Sequence, residues 1–173
     1  MSDRAAELTT LCRSCGVCCN GVMFAHVQVT THELRPETRR RLQVVEADGR
    51  FKPPCAAHEP RGCTVYDDRP EICRDYACEL YLEHEAKGGE LDRKLRRVAR
   101  IRELVASIRA RRKVADREWL PRTIAEMLSI GKPSDVEPDL MLDIAELAMR
   151  LQRDFGWNPK PEPEPEPDAA KAP

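Results

Sequence analysis

The clearest hydrophobic pattern lies in the second half of the chain, where apolar residues recur every three or four positions. One stripe, typical of a long amphipathic helix, consists of Leu91, Leu95, Val98, Ile101, Val105 and Ile108. A second pattern covers residues 120–130, with Pro121 near its first turn, and a third covers Pro138 to Phe155. The spacing predicts about three helices within residues 89–158, packed as a small antiparallel cluster.

The first 88 residues show only short apolar runs between turn-forming residues. Val22–Val29 is β-branched and alternates weakly, which predicts a short strand. Thr30 and Glu33 match a capping box, which predicts a helix from there to about Leu42.

Turn, strand and helix signals follow one another in the next segment. Asp48–Gly49 predicts a turn, and the runs Phe51–Ala56 and Cys63–Tyr66 predict short strands or extended loops. Pro70 suits the first turn of a helix that continues to about Glu85.

These patterns predict a mostly helical α+β fold. An irregular cysteine-knuckle metal domain, residues 1–88, is expected to pack on a C-terminal helical region, residues 89–158. The remaining residues, 159–173, alternate Pro and Glu in the sequence PKPEPEPEPDAAKAP. Proline denies such a segment regular hydrogen bonding and like charges extend it, so we expect a disordered tail.

Composition explains why the first half needs more than burial to fold. Of the 173 residues, 34% are charged and only 5% are aromatic, so large core side chains are few. Small units of this kind often depend on disulfides or metal.

The net charge of −1 hides a basic segment. Residues 91–117 contain eleven Lys and Arg against three acidic residues, a local charge of +8. A solvated, partly salt-bridged helix face is the interpretation we favour, and binding of nucleic-acid phosphates is the alternative.

Targeting signals are missing from the sequence. Residues 1–11 are polar and charged, without the apolar run of a signal peptide. No stretch approaches the roughly 20 apolar residues that a membrane span needs. We therefore expect a cytoplasmic protein without a membrane partner, in a compartment where thiols stay reduced.

The candidate chemistry lies in the cysteines. All eight fall between Cys12 and Cys78, and the first four form the sequence C-x-x-C-x-x-C-C. The C-x-x-C spacing lets two thiolates converge on one metal ion. Cys18 and Cys19 are adjacent, and neighbouring side chains in extended chain point to opposite sides. They therefore suit two centres, unless one of them is unligated.

The last four cysteines are Cys55, Cys63, Cys73 and Cys78. Cys73 and Cys78 lie five residues apart, and residues on one helical face are three or four apart. We therefore expect that one of them lies beyond a helix break or serves a different centre.

Eight thiols are compatible with several metal contents. Two four-sulfur zinc sites, one iron–sulfur cluster with spare thiols, and one cluster plus one zinc ion all fit the residue type. The metal could be structural only, or it could be a redox or catalytic centre. Disulfides are the less favoured alternative, because they are rare in the cytosol.

The complete cysteine pattern is similar to that of a known family. The sequence C-x-x-C-x-x-C-C, followed by a Cys and then by C-x-V-Y-x-x-R-P-x-x-C-R, resembles the zinc- or iron-chelating CxxCxxCC family, the YkgJ-like cysteine-cluster proteins. The resemblance covers about Cys12 to Cys78, under half of the chain. The ligands that it implies are Cys12, Cys15, Cys18, Cys19, Cys55, Cys63 and Cys73. Cys78 lies at the edge of the motif and is the last candidate ligand.

Two arginines of the motif, Arg69 and Arg74, are expected to contact the bound cofactor. A guanidinium group can hydrogen-bond ligand sulfurs and offset the charge of thiolates. His58, three residues after Cys55, is the best nitrogen ligand on offer, although a solvated loop histidine is the simpler interpretation. No catalytic triad or nucleotide-binding motif is present, so the catalytic residues stay unknown.

The family also includes members labelled iron–sulfur oxidoreductases, and a flagellin lysine methylase carries a similar cluster. This chain is much shorter than that methylase and has no glycine-rich signature for S-adenosylmethionine, so the methylase role is not transferred.

The sequence therefore predicts a protein that binds zinc or iron through cysteine thiolates, with an iron–sulfur cluster among the options. A redox or metal-handling role is the leading hypothesis, and iron–sulfur oxidoreductase is the enzyme class it implies. The alternative is a structural zinc module that mediates protein or nucleic-acid interaction.

Overall fold

The fold is mostly helical, with small antiparallel strand pairs, in a computed structural model that describes residues 3–45, 47–112 and 137–158. Its helices are α1 (Asp3–Cys15), α2 (Pro36–Leu42), α3 (Glu71–Asp75), α4 (Glu79–Lys87), α5 (Leu91–Arg112) and α6 (Pro138–Phe155). Its strands are β1 (Val27–Gln28), β2 (Arg50–Phe51), β3 (His58–Glu59) and β4 (Gly62–Cys63). β1 pairs with β2 and β3 pairs with β4, both antiparallel. The predicted α+β class is confirmed.

The two longest helices, α5 and α6, pack against each other and form the main core. The apolar stripe of α5 meets that of α6, and their central residues Ile101, Ile108, Leu147 and Leu151 are fully buried. The prediction of a helix at Pro138 to Phe155 is confirmed at both ends, where Pro138 starts α6 and Gly156 stops it. The helix predicted at 120–130 and the tail lie outside the described residues.

Helix α1 packs on α4 and α5 and was not expected from the sequence. Its buried residues, Leu8, Leu11 and Cys15, lie three and four positions apart. That spacing is helical only if Cys15, a candidate metal ligand, is counted as apolar.

Three sequence predictions in the first half need correction. The strand at Val22–Val29 is limited to Val27–Gln28. The helix expected from the capping box at Thr30 is only a 3-10 turn at Thr31–Glu33, and α2 starts later, at Pro36. The residue before proline disfavours helical conformation, and Arg35 is accordingly extended.

The third correction concerns the helix predicted to run from Pro70 to about Glu85, which is interrupted. Tyr76 is extended and Cys78 is the N-cap residue of α4, so α3 and α4 are separate helices. The hydroxyl of Tyr76 donates to the carbonyl of Phe155 at 3.3 Å, and its ring meets Phe24 edge-on at 5.3 Å. These contacts hold Tyr76 out of the helix.

A second, smaller core lies in the irregular part of the chain. Its buried residues are Val29, Leu34, Leu42, Phe51, Cys55, Ala57 and Val65. Cys19, Cys63 and Cys73 pack against it, whereas Cys15 and Cys78 belong to the larger helical core. The cysteines are thus divided between two cores.

No helix among the described residues combines the length and the apolar character needed to cross a bilayer.

Candidate metal centre

All eight cysteines line a single cavity of about 400 Å³. Each of them lies within the described ranges and is a free thiol. Cys12 and Cys15 come from the last turn of α1, Cys63 from β4 and Cys73 from α3. Cys12 and Cys78 are 66 positions apart in the sequence, and the fold brings all eight cysteines to one cavity.

The loop after α1 turns sharply at Gly16. Its φ of +67° is a conformation that favours glycine, and the amide of Cys19 donates to the Gly16 carbonyl at 3.0 Å. Val17 and Val22 are fully buried and anchor the two ends of the loop in the helical core. Cys18 and Cys19 are therefore held on a short, fixed segment.

The second half of the motif is hydrogen-bonded to this loop. The amide of Cys55 donates to the carbonyl of Cys19 at 2.7 Å. The β3–β4 hairpin then returns the chain to α1, where Gly62 packs against the main chain of Arg13. A Cβ atom added to Gly62 would lie only 2.5 Å from the Arg13 carbonyl oxygen. Cys63 follows directly and faces the cavity.

One group of thiols forms around Cys15 and Cys18. Burial, with smaller contributions from the nearby thiols of Cys78 and Cys12, raises the pKa of the Cys15 thiol to about 12. Burial also raises the pKa of Cys18 well above its ordinary value, and the thiols of Cys15, Cys19 and Cys78 add to the effect. Cys15 and Cys78 thus both lie near Cys18, and Cys12 is a further neighbour of all three.

A second group forms around Cys19. Burial raises the pKa of its thiol, and the thiols of Cys55, Cys63 and Cys73 follow as the next causes. Burial likewise raises the pKa of Cys73 to about 11, with Cys55 and Cys63 among its neighbours. Cys18 and Cys19 therefore have different sets of neighbours, as their adjacency suggested.

Cys12 lies between the two groups. Its thiol contributes to the raised pKa of Cys15 and Cys18 in one group and of Cys19 and Cys73 in the other. It is the only cysteine among the described residues to act on members of both groups to this extent. Cys12 is therefore the thiol that links the group around Cys15 and Cys18 to the group around Cys19.

Arg69 contacts the cavity directly. Its Nη1 donates to the Cys12 sulfur at 3.6 Å, and its Nε donates to the Tyr66 carbonyl at 2.8 Å. The guanidinium carbon lies 3.6 Å from the centre of the Tyr66 ring, a cation–π arrangement. The Arg69 guanidinium therefore places a positive charge beside the Cys12 sulfur.

Arg74 has a different position. Its guanidinium donates to the main-chain carbonyl of Arg69 and pairs with Glu33 at 3.9 Å. Its contacts therefore support the segment that carries Arg69, whereas Arg69 itself lines the cavity, as Arg13 does.

The eight cysteine thiols are suitable ligands for a metal. Because all of them line one cavity, we refer to them together as a shell. Cysteine sulfurs are the ligands of both zinc and iron–sulfur centres. Among residues 3–45, 47–112 and 137–158, no three His, Cys, Asp or Glu side chains are close enough to hold one ion. All eight cysteines line the same cavity of about 400 Å³.

His58 is placed beside this shell. It lines the cavity, and its Nε2 is buried with no hydrogen-bond partner in the described part of the chain. Burial lowers the pKa of His58, and the positive charge of Arg102 lowers it further. The imidazole is therefore neutral, the form in which histidine binds metals.

The other histidines have separate surroundings. His84 is fully buried and its Nε2 lies 3.1 Å from Glu7 Oε2, while His32 is exposed. His26 lines the cysteine cavity.

The basic helix α5 is partly neutralised by ion pairs within the fold. Arg100 forms a bidentate pair with Glu146 at 2.6 and 3.1 Å, and Arg97 pairs with the buried Asp154. Arg111 lies 3.7 Å from Asp143. These pairs agree with the salt-bridged face that the sequence favoured.

Two contributors to the site were missed by the sequence reasoning. Tyr76 lines the cavity, and burial followed by the charges of Cys18 and Cys78 raises its pKa. Arg102 acts electrostatically on Cys15 and His58. The position of Tyr76 between Cys73 and Cys78 was a usable signal, whereas nothing distinguished Arg102 from the other arginines of its helix.

No curated protein and no solved structure matches this chain. Residues 11–94 match the model of the CxxCxxCC family, which is described as "Putative zinc- or iron-chelating domain". The matched range contains all eight cysteines and confirms the resemblance inferred from their spacing. Over residues 11–94, just under half of its length, the chain is therefore similar to the CxxCxxCC family.

Proposed function

We propose that the cysteine cavity holds iron as an iron–sulfur centre and that the chain has a redox role. The single observation that carries this proposal is the shell of eight thiols around one cavity of about 400 Å³. A mononuclear site needs ligands that converge on one ion, whereas a polynuclear centre needs ligands around its periphery. An iron–sulfur centre supplies one-electron transfer when bound.

The residues of the chain have defined parts in this proposal. Cys15 and Cys78 provide ligands from the helical core, Cys18 provides one from the loop after α1, and Cys19, Cys55, Cys63 and Cys73 provide ligands from the smaller core. Cys12 lies between the two sets. Hydrogen bonds to sulfur and local positive charge tune such centres, which is the part we assign to Arg69.

The walls of the cavity support a redox centre shielded from water. Its lining is largely apolar, and the rings of Tyr66, Tyr76 and Tyr81 contribute to it. A low dielectric around a cluster shifts its reduction potential, and exclusion of water protects it. An iron–sulfur oxidoreductase of the cytoplasm is the class of protein that fits these features.

The second candidate is a structural zinc module, and the small size of the second core favours it. Only seven buried residues form that core, so a structural metal would explain how it stays folded. A nucleic-acid partner receives less support, because Arg97, Arg100 and Arg111 already pair with carboxylates.

Anaerobic purification followed by metal and acid-labile sulfide analysis tests the proposal. The expected result is iron with sulfide, together with broad visible absorption that a reductant bleaches. Colourless protein with stoichiometric zinc would favour the structural module instead. Protein that binds neither metal would contradict both candidates.

A further inference from the structure

A second, open groove of about 280 Å³ lies beside the cysteine cavity. The loop after α1 and the segment around Cys55 form one side of it, and α5 forms the other. The groove shares Cys15, Cys19 and Cys55 with the cysteine cavity. Its permanently charged groups are the guanidinium groups of Arg102 and Arg109, and the neutral imidazole of His58 also lines it.

Five of the eight arginines of α5 form two sets that differ in their partners. Arg97, Arg100 and Arg111 form ion pairs with carboxylates. Arg102 and Arg109 instead donate to main-chain carbonyls, those of Ser14 and Asn20 respectively. In the described part of the chain, neither of these two arginines has a carboxylate partner.

A guanidinium group has five N–H donors, so one carbonyl leaves most of them unused. Arg102 and Arg109 are seven residues apart, which places them two turns apart on the same side of α5. Val105 and Ala106 lie between them and form the floor of the groove. Two under-used guanidinium groups thus face one space.

His58 adds a third polar group. His58 lines the groove, and its Nε2 is buried and lacks a hydrogen-bond partner among the described residues. It also lies against Gly16, where an added Cβ would stand 2.2 Å from the nitrogen. A buried polar atom without a partner is costly, and a bound ligand would remove that cost.

We propose that this groove binds a small oxyanion, a carboxylate or a phosphate, between Arg102 and Arg109, with His58 Nε2 as a further contact. Guanidinium groups match the planar, bidentate geometry of such anions. A volume of about 280 Å³ suits a small acid, because sites for larger ligands usually start at roughly 300 Å³. The inference goes beyond metal binding and holds for zinc or iron.

Calorimetric titration of the full-length, metal-loaded protein tests this inference. Inorganic phosphate and malonate are the two probes, and chloride at equal ionic strength is the reference. We expect saturable binding of at least one probe. The variants Arg102→Gln and Arg109→Gln should each weaken it about tenfold, as expected for loss of a hydrogen bond to a charged group. Arg96→Gln, an exposed arginine on the same helix, should leave it within about twofold.

Arg109→Gln removes a contact to the Asn20 carbonyl and could disturb folding, so a second variant is needed. Ala106→Glu places a carboxylate in the groove at an exposed position and should abolish binding of both probes. Ala99→Glu adds the same charge at an exposed position outside the groove lining and is its control.

Absence of saturable binding in the wild type would overturn the inference. So would equal weakening by Arg96→Gln, or binding that survives Arg102→Gln and Ala106→Glu, since either result means an adventitious ion only. Metal content is measured in every sample. Failure of anion binding in fully loaded protein contradicts the groove alone, whereas absence of metal contradicts the proposed function.

Discussion

The helical part of the molecule and the cysteine-rich part are stabilised in different ways. The α5–α6 pair buries large aliphatic side chains along two long helices, including Leu104, Ile108, Leu147 and Leu151. The cysteine-rich part has strands of two residues each and a core of seven buried residues. Packing accounts for the first region, and the second requires an additional source of free energy.

The magnitudes explain the difference. Complete burial of one Leu or Ile contributes roughly 1.5–3 kcal/mol, so a row of them stabilises a helix pair without a cofactor. Ordering a residue costs about 1–2 kcal/mol in backbone entropy, which a few buried residues do not offset over a long irregular segment. A structural metal contributes on the order of 10 kcal/mol to such a unit.

Removal of the metal should have the largest effect on this comparison. Treating the protein anaerobically with a strong chelator is expected to release the segment 19–75, because its core is small and its thiols lose their common partner. Hydrogen exchange followed by mass spectrometry measures this directly. Amides of β1–β4 should lose at least about 100-fold protection, while the central amides of α5 and α6 stay protected.

Loss of protection in both regions at once would contradict a separate stabilisation of the two. Readdition of metal is the control and should restore protection in the segment 19–75.

Cysteine variants should divide the metal site along the same boundary. Cys18→Ser and Cys78→Ser are expected to lose the same portion of the metal, because both thiols belong to the group around Cys15. Cys19→Ser and Cys55→Ser should lose the complementary portion. Metal analysis with visible spectra provides the measurement.

Ser14→Ala is the matched control, since Ser14 is exposed and lies between Cys12 and Cys15. If Cys18→Ser and Cys19→Ser have identical effects on metal content and spectrum, the division into two groups is wrong.

A core substitution should affect the helical region alone. Leu147→Ala removes a fully buried side chain and is expected to lower the free energy of unfolding by roughly 3 kcal/mol. Chemical denaturation followed by circular dichroism measures this change. Metal content should remain that of the wild type, and Leu142→Ala, at an exposed position of α6, should have little effect on either quantity.

A glycine substitution should affect the cysteine-rich region by a smaller amount. A Cβ on Gly62 would stand 2.5 Å from the Arg13 carbonyl, so Gly62→Ala should push the β3–β4 hairpin from α1. We expect a cost of roughly 1–3 kcal/mol and weaker retention of metal against a chelator. Gly89→Ala is the matched control, because its φ of +99° resembles the +109° of Gly62 but a Cβ there meets no atom within 4 Å.

Acid should produce the smallest of these effects in the helical region. Hydrogen bonds from Arg100 and Arg150 lower the pKa of Glu146 to about 2. A carboxyl group with a lowered folded-state pKa stabilises the fold at pH values above its unfolded pKa of about 4.3. That contribution is lost as the pH falls from there towards 2.

Metal release should therefore begin at a higher pH than helix unfolding, since protons compete with metal for thiolates. Parallel pH titrations of metal content and circular dichroism test the order. Glu146→Gln should reduce stability at neutral pH by only about 0.5 kcal/mol, because solvent screens this pair. Glu103→Gln, a more exposed partner of Arg100, is the comparison variant.

The sequence predicted the parts of the fold that depend on local periodicity. The bounds of α6 follow from its apolar repeat, Pro138 at its start and Gly156 at its end. The interruption at Tyr76 could not be predicted, because its hydroxyl bonds to Phe155, 79 residues away in the chain. Helix α1 was hidden by Cys15, which serves in its core and also faces the cavity.

The candidate site was predictable in membership and less so in arrangement. Cysteine spacing identified the residues that the fold brings together, and the adjacency of Cys18 and Cys19 suggested two sets of neighbours. The groove needed the structure, because only tertiary contacts separate Arg102 and Arg109 from the arginines that pair with carboxylates.

The break between α3 and α4, at Tyr76–Cys78, lies where the cavity separates the two cores. Cys73, just before it, packs with the smaller core, and Cys78, just after it, packs with the helical core. A group bound in the cavity would therefore contact residues of both cores and hold them together. A change in the size or charge of the bound group would act on the helical core and on the smaller core at the same time.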